Sequence, residues 1–178
     1  MNPYELAQRL IARFGKLLGL QALTLAGGTH SCALEFDGHI TVTFEFHEPS
    51  SQMVLTSLLA TPSDASETPG AGATALRLLM EANFVDYLHS GSLFGIEPQS
   101  GKITLVQCRS VTELDDAAFE SLVEAFVNKA EVWKKQIEQV LRGVPLQSLL
   151  PADPRATEAT GETSASAARP LDGAHIYG

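Results

Sequence analysis

Six apolar residues within the stretch SCALEFDGHITVTFEF, residues 31–46, share one parity: Cys32, Leu34, Ile40, Val42, Phe44 and Phe46 all carry even numbers. Side chains alternate between the faces of a strand, so this pattern predicts a hairpin with one apolar face. Such a face requires a covering layer, because an isolated hairpin is marginal in water. A two-residue Asp37–Gly38 turn would pair even with odd positions and put Leu34 opposite the Ile40 and Val42 face. A three-residue loop over 36–38, with Gly38 left-handed, instead pairs Glu35 with His39, Leu34 with Ile40 and Cys32 with Val42. It leaves Glu35, His39, Thr41 and Thr43 on the other face. Residues 53–60 continue as a third strand of weaker alternation, which suits an edge or a strand covered on both faces.

The covering layer is readable as helices. Asn2 as N-cap and Pro3 at the first helical position open a helix in which Leu6, Leu10, Phe14, Leu17 and Leu18 share one side, ended by Gly19. Tyr4 and Ile11 widen its apolar arc beyond a minimal stripe. From Asp115 or Asp116, Phe119, Leu122, Val123, Phe126, Ala130, Trp133, Ile137, Val140 and Leu141 keep helical spacing over about seven turns. The LLMEANF helix between them, over about 73–88, has two apolar arcs: Leu76, Leu79, Met80, Phe84 and Tyr87 on one, with Leu78, Ala82 and Val85 nearly opposite. Three helices and five short strands leave little to cover the second arc, so a partner subunit is expected there. Strands over 92–97 and 102–108 follow, joined by the turn 98–101.

Composition narrows the function classes. The formal net charge is −9 with 12 Lys and Arg among 178 residues, which argues against nucleic-acid binding. The N-terminal MNPYE lacks a basic-then-apolar leader pattern and no apolar run is long, so neither signal peptide nor membrane insertion is expected. Cys32 and Cys108 fall in strands without a CxxC spacing, as small core residues of a reducing compartment do. The stretch 95–103 imitates a phosphate loop but has five residues between its glycines, Ile103 in place of Ser or Thr, and a strand rather than a helix after it. The five histidines offer no HExxH and no i,i+4 pair. No catalytic constellation, metal site or cofactor is expected. Residues 61–72 read as a loop, and beyond Pro151 the chain is mostly Ala, Gly, Pro, Ser and Thr. The expectation is a domain over 1–143 and a flexible, disordered tail over 144–178.

The element order α-β-β-β-α-β-β-α, the hairpin CALEFDGHITVTFEF, the LLMEANF helix, the stretch GSLFGIEPQSGKITLVQ and the closing FESLVEAFVNKAEVW together resemble the class I effector chaperones of type III secretion, the Tir chaperone (CesT-type) family, over residues 2–142. The resemblance implies an α+β fold with a twisted antiparallel sheet packed against helices. It also implies a bacterial cytoplasmic homodimer without enzymatic activity. Such a dimer binds the N-terminal region of one or more secreted effector proteins and keeps it extended for export, with the export ATPase as a further partner at release. In the family the middle helix and following strand form much of the dimer contact, which here maps to Leu78, Ala82, Val85, Leu93 and Phe94. Apolar residues in excess of core needs, Tyr4, Ile11, Val54 and Leu58, mark the expected effector-binding grooves. The alternative is a small-molecule-binding α+β domain without chaperone role, which predicts a closed apolar cavity with convergent polar groups.

Overall fold

The computed structural model describes residues 2–20, 22–61 and 69–145. The elements run α1 (Pro3–Leu17), β1 (Ser31–Phe36), β2 (Ile40–His47), β3 (Gln52–Ala60), α2 (Ala71–Ser90), β4 (Ser92–Ile96), β5 (Ile103–Ser110) and α3 (Asp116–Leu141), with short 3-10 turns after β2 and β5. The expected α-β-β-β-α-β-β-α order is therefore present. The strands form one antiparallel sheet in the order β1-β2-β3-β5-β4. The expected tail lies outside the described residues from residue 146 onward, as does the 62–68 part of the expected loop.

Helix boundaries follow local chemistry. Asn2 Oδ1 accepts the Tyr4 N–H at 3.1 Å while the Glu5 carboxylate accepts the Asn2 N–H at 3.1 Å, two otherwise orphaned donors satisfied reciprocally. At the other end Gly19 takes φ +77°, and the Leu20 N–H reaches back to the Gly15 carbonyl at 2.8 Å, a Schellman closure. Asp115 caps α3 by accepting the Ala118 N–H at 2.8 Å.

The hairpin keeps the expected faces but not the expected register. Phe36 pairs with Ile40, Leu34 with Val42 and Cys32 with Phe44, two residues from the expected pairing, and Glu35 lies opposite Thr41 rather than His39. Asp37 and Gly38 both take positive φ, and His39 N–H closes the turn on the Phe36 carbonyl. His39 is then an inserted residue before β2. The turn uses the two left-handed positions that Asp-Gly favours, and the insertion restores the parity that a two-residue turn would break. Released from the Glu35 pairing, the His39 ring lies 3.7 Å from the Glu131 carboxylate.

One face of the sheet carries the core. Ile40, Val42, Phe44 and Phe46 on β2 and Met53, Leu55 and Leu59 on β3 are buried with Leu10, Ile11 and Phe14 of α1 and Phe119, Val123, Phe126, Ala130 and Ile137 of α3. The rings of Phe14, Phe44 and Phe119 meet at centroid distances of 5.6–6.3 Å, joining both outer helices to the sheet. Strand β3 is the central strand, not an edge, and its second face is open: Val54 is half-buried and Leu58 exposed. Its weak alternation comes from the apolar residues on that open face.

Candidate peptide-docking surface and helix α2 face

The two edges of the sheet differ. At β4, the Asn83 side chain from α2 donates to the Phe94 carbonyl at 3.0 Å and accepts the Phe94 N–H at 2.6 Å, so it occupies the middle of that edge as a partner strand would. At β1, Phe46 N–H donates to the His30 carbonyl, which turns the even residues toward β2 and Ser31, Ala33 and Glu35 outward. Ala26 N–H takes the Ser31 carbonyl at 2.9 Å. No described residue takes the outward backbone groups of Ala33 or Glu35, so β1 is the open edge.

Beside that edge runs an apolar groove between the end of α1 and the first half of α3. Its larger part, about 230 Å³, is lined by Phe14, Leu17, Leu18, Phe36, Val123 and Val127, with Glu120, Glu124 and Asn128 along the α3 wall. It joins a second hollow that shares Phe14, Leu17 and Glu120. Leu17 and Leu18 are 62 % and 44 % exposed, costly placements for leucines in an isolated domain. Gly15 explains how α1 ends here: a Cβ on it would sit 2.6 Å from the Leu23 Cβ, so only glycine lets the following loop fold back on the helix. These groove residues were missed by reading the sequence for apolar excess, because Leu17 and Leu18 continue the core stripe of α1. The signal was the helix stop at Gly19, which leaves them at a terminus that the described residues do not cover.

The residues singled out for effector binding do not form one surface. Tyr4 is half-buried, its ring 4.7 Å from His30 and 5.7 Å from Phe46, and its hydroxyl accepts the Gln8 Nε2–H at 2.8 Å. Ile11 is fully buried in the core and unavailable to a ligand. Val54 and Leu58 lie on the opposite face of the sheet.

Helix α2 carries its two apolar arcs on either side of the exposed Arg77–Glu81 pair, and the structure turns the arc of Leu78 and Ala82 inward and leaves most of the other, Leu79 excepted, outside. Ala71, Ala75, Leu78 and Leu79 are buried and Ala82 packs against the same core, an i, i+4, i+7, i+8, i+11 series. Leu76, Met80, Phe84 and Tyr87 are exposed, Phe84 at 77 %. Of the residues mapped to a dimer contact, Leu78 and Phe94 are thus already buried within the protomer, Phe94 with its ring 4.6 Å from that of Trp133. Ala82 is turned the same way, Leu93 is exposed, and the Val85 side chain lies outside the described residues. The alanines hold the reason: small residues let α2 approach its neighbours closely, so the arc rich in alanine packs inward and the bulkier arc is left outside. Met80, Phe84, Tyr87 and Leu93 form a shallow apolar depression with Asn83.

The remaining chemistry of the described residues is sparse. Burial raises the Cys32 thiol to about 11, and burial also pushes Cys108 upward against the opposing charge of Arg109. Among the described residues no three His, Cys, Asp or Glu side chains group as metal ligands, and none of their helices is long and apolar enough to cross a membrane.

Comparison with known proteins agrees with this architecture. The Tir chaperone protein (CesT) family model matches residues 9–134. Among solved structures, a chain of the ExsC–ExsE complex aligns at TM-score 0.66 with 22 % identity, covering 77 % of this chain and 97 % of that one. A chain of the HopA1–SchA chaperone–effector complex aligns at 0.62 with 16 % identity, covering 74 % and 95 %. A third match comes from the Yersinia pestis type III secretion chaperone SycH bound to a fragment of YscM2, at 0.53 with 13 % identity, covering 71 % and 98 %. At these identities the structural likeness is one of fold. No match was found among the curated proteins. The family match spans most of the sequence, and the chain belongs to the Tir chaperone protein (CesT) family.

Proposed function

We propose that the protein is a type III secretion chaperone, acting in the bacterial cytoplasm as a homodimer that binds the N-terminal region of one or more effector proteins and holds it extended for export. The observation that carries this reading is a strand edge at Ala33 and Glu35 and an adjoining apolar groove, in a member of this family, that no described residue pairs with or fills. An extended segment added to β1 would satisfy the outward backbone groups of Ala33 and Glu35 while placing alternate side chains over Phe36, Leu17 and Val127. Binding of this kind works by mass action: it masks an aggregation-prone segment and opposes its folding, without turnover. Release would then fall to another component, the export ATPase. The dimer would form through the outer arc of α2 and Leu93, which twofold symmetry would place against their own copies.

The test is a tagged pull-down from the native host, followed by limited proteolysis and mass spectrometry of the retained protein. Recovery of one or a few proteins protected over an N-terminal segment, and their loss with Leu17→Asp, supports the reading. Retention of a small molecule with no protein partner would overturn it.

A further inference from the structure

We propose that the β1 edge and its groove select segments in which Lys or Arg alternates with apolar residues; this rests on the groove reading above and adds the charge of the occupant. The α3 wall carries Asp116, Glu120 and Glu124 at successive i,i+4 positions. Asp116 is engaged by Arg13 across from α1. Glu120 and Glu124 are exposed and bonded to no described residue, although like charges one turn apart weaken a helix. Arg13, the only cation among the described residues lining the groove and its adjoining hollow, is therefore already paired. At the strand edge, Glu35 is exposed, has no described partner, and sits on the sheet face opposite the groove.

An added strand presents its side chains alternately to the two faces of the sheet. One set would enter the apolar groove, where Leu, Ile or Val fits. The other would emerge beside Glu35, where a cross-strand Lys or Arg is favoured. Cationic residues just beyond the groove would meet Glu120 and Glu124. Acidic segments would instead be repelled at three places, so the same carboxylates reject as well as attract.

Two short synthetic peptides with the same apolar residues at alternate positions, and Lys or Glu at all intervening ones and at both ends beyond the apolar set, test this by fluorescence anisotropy against the full chain. The Lys peptide is expected to bind about tenfold tighter, an advantage that shrinks as salt is raised. The triple variant Glu35→Gln, Glu120→Gln, Glu124→Gln, all at exposed positions, should remove most of the preference. Equal affinities for the two peptides, both abolished by Leu17→Asp, would overturn the charge selection and leave the groove reading standing. A Lys preference unchanged in the triple variant would trace to net charge and overturn it too. Binding of neither peptide would overturn the groove reading itself.

Discussion

Phe84→Glu should yield a folded monomer of 19.0 kDa from a wild-type species of twice that mass. A phenylalanine carries roughly 200 Å² of surface, and Phe84 is 77 % exposed in the protomer, leaving about 150 Å² for a partner to cover. At about 25 cal/mol per Å² this amounts to as much as ~4 kcal/mol for each copy, and a twofold interface uses each patch twice. Losing even half of a ~8 kcal/mol total would weaken a dimer by about three orders of magnitude. A buried unpaired carboxylate adds to that cost. Within the protomer the substitution touches solvent, so the far-UV circular dichroism of the monomer should stay close to that of wild type, while its thermal midpoint falls only by the stabilisation that association lends the dimer and rises no further with protein concentration. Leu78→Glu provides the contrast: Leu78 is 7 % exposed and belongs to the protomer's own core, so the carboxylate there should unfold the chain. Light scattering at micromolar concentration reads the mass. A Phe84→Glu protein still at double mass, or a Leu78→Glu protein that is a folded monomer, would refute the assignment of the two arcs.

Replacing Asn83 by Ala removes both hydrogen bonds to the Phe94 backbone, a loss of about 1–3 kcal/mol that should lower the thermal midpoint by several degrees; an unchanged midpoint would mean that the β4 edge does not need its side-chain partner. With its thiol raised to about 11 by burial, Cys32 should react with a disulfide reagent at pH 8 about 100-fold more slowly than an ordinary thiol, recovering in guanidinium. Fast native labelling of both cysteines, followed by mass spectrometry, would contradict the burial. The hydrogen bond and charge of Lys135, helped by His39, hold the Glu131 carboxyl below its ordinary range. A depressed folded value stabilises above the unfolded carboxylate pKa of about 4.3 and fades as pH falls through the lower folded value. Midpoints of wild type and Glu131→Gln should therefore differ near neutrality and converge in acid, and a gap that widened toward acid would reverse the sign of the argument.

Element order and the buried face of the hairpin were legible because both rest on local rules. Alternation fixes which side of a strand is apolar, and caps such as Asn2, Gly19 and Asp115 end helices through contacts within a few residues. The hairpin register lay at the limit of that logic. Parity excluded odd shifts, but a shift of two keeps every side chain on its face, and the choice between them depended on turn backbone conformation at Asp37 and Gly38 and on the position His39 could find beside α3. The functional surfaces went further beyond it. An apolar residue in a sequence announces that it wants cover without saying which neighbour supplies it. Ile11 and Leu78 looked surplus and are core. Leu17, Leu18 and Phe84 looked like core and are exposed, because burial depends on how closely α2 can approach its neighbours and where α1 stops relative to α3. The sequence by itself determined the class of fold and the sides of its elements, since those follow from short-range periodicity. Tertiary structure decided which apolar faces remained open and which sheet edge kept its hydrogen bonds unspent, because both are relations between elements distant in the chain.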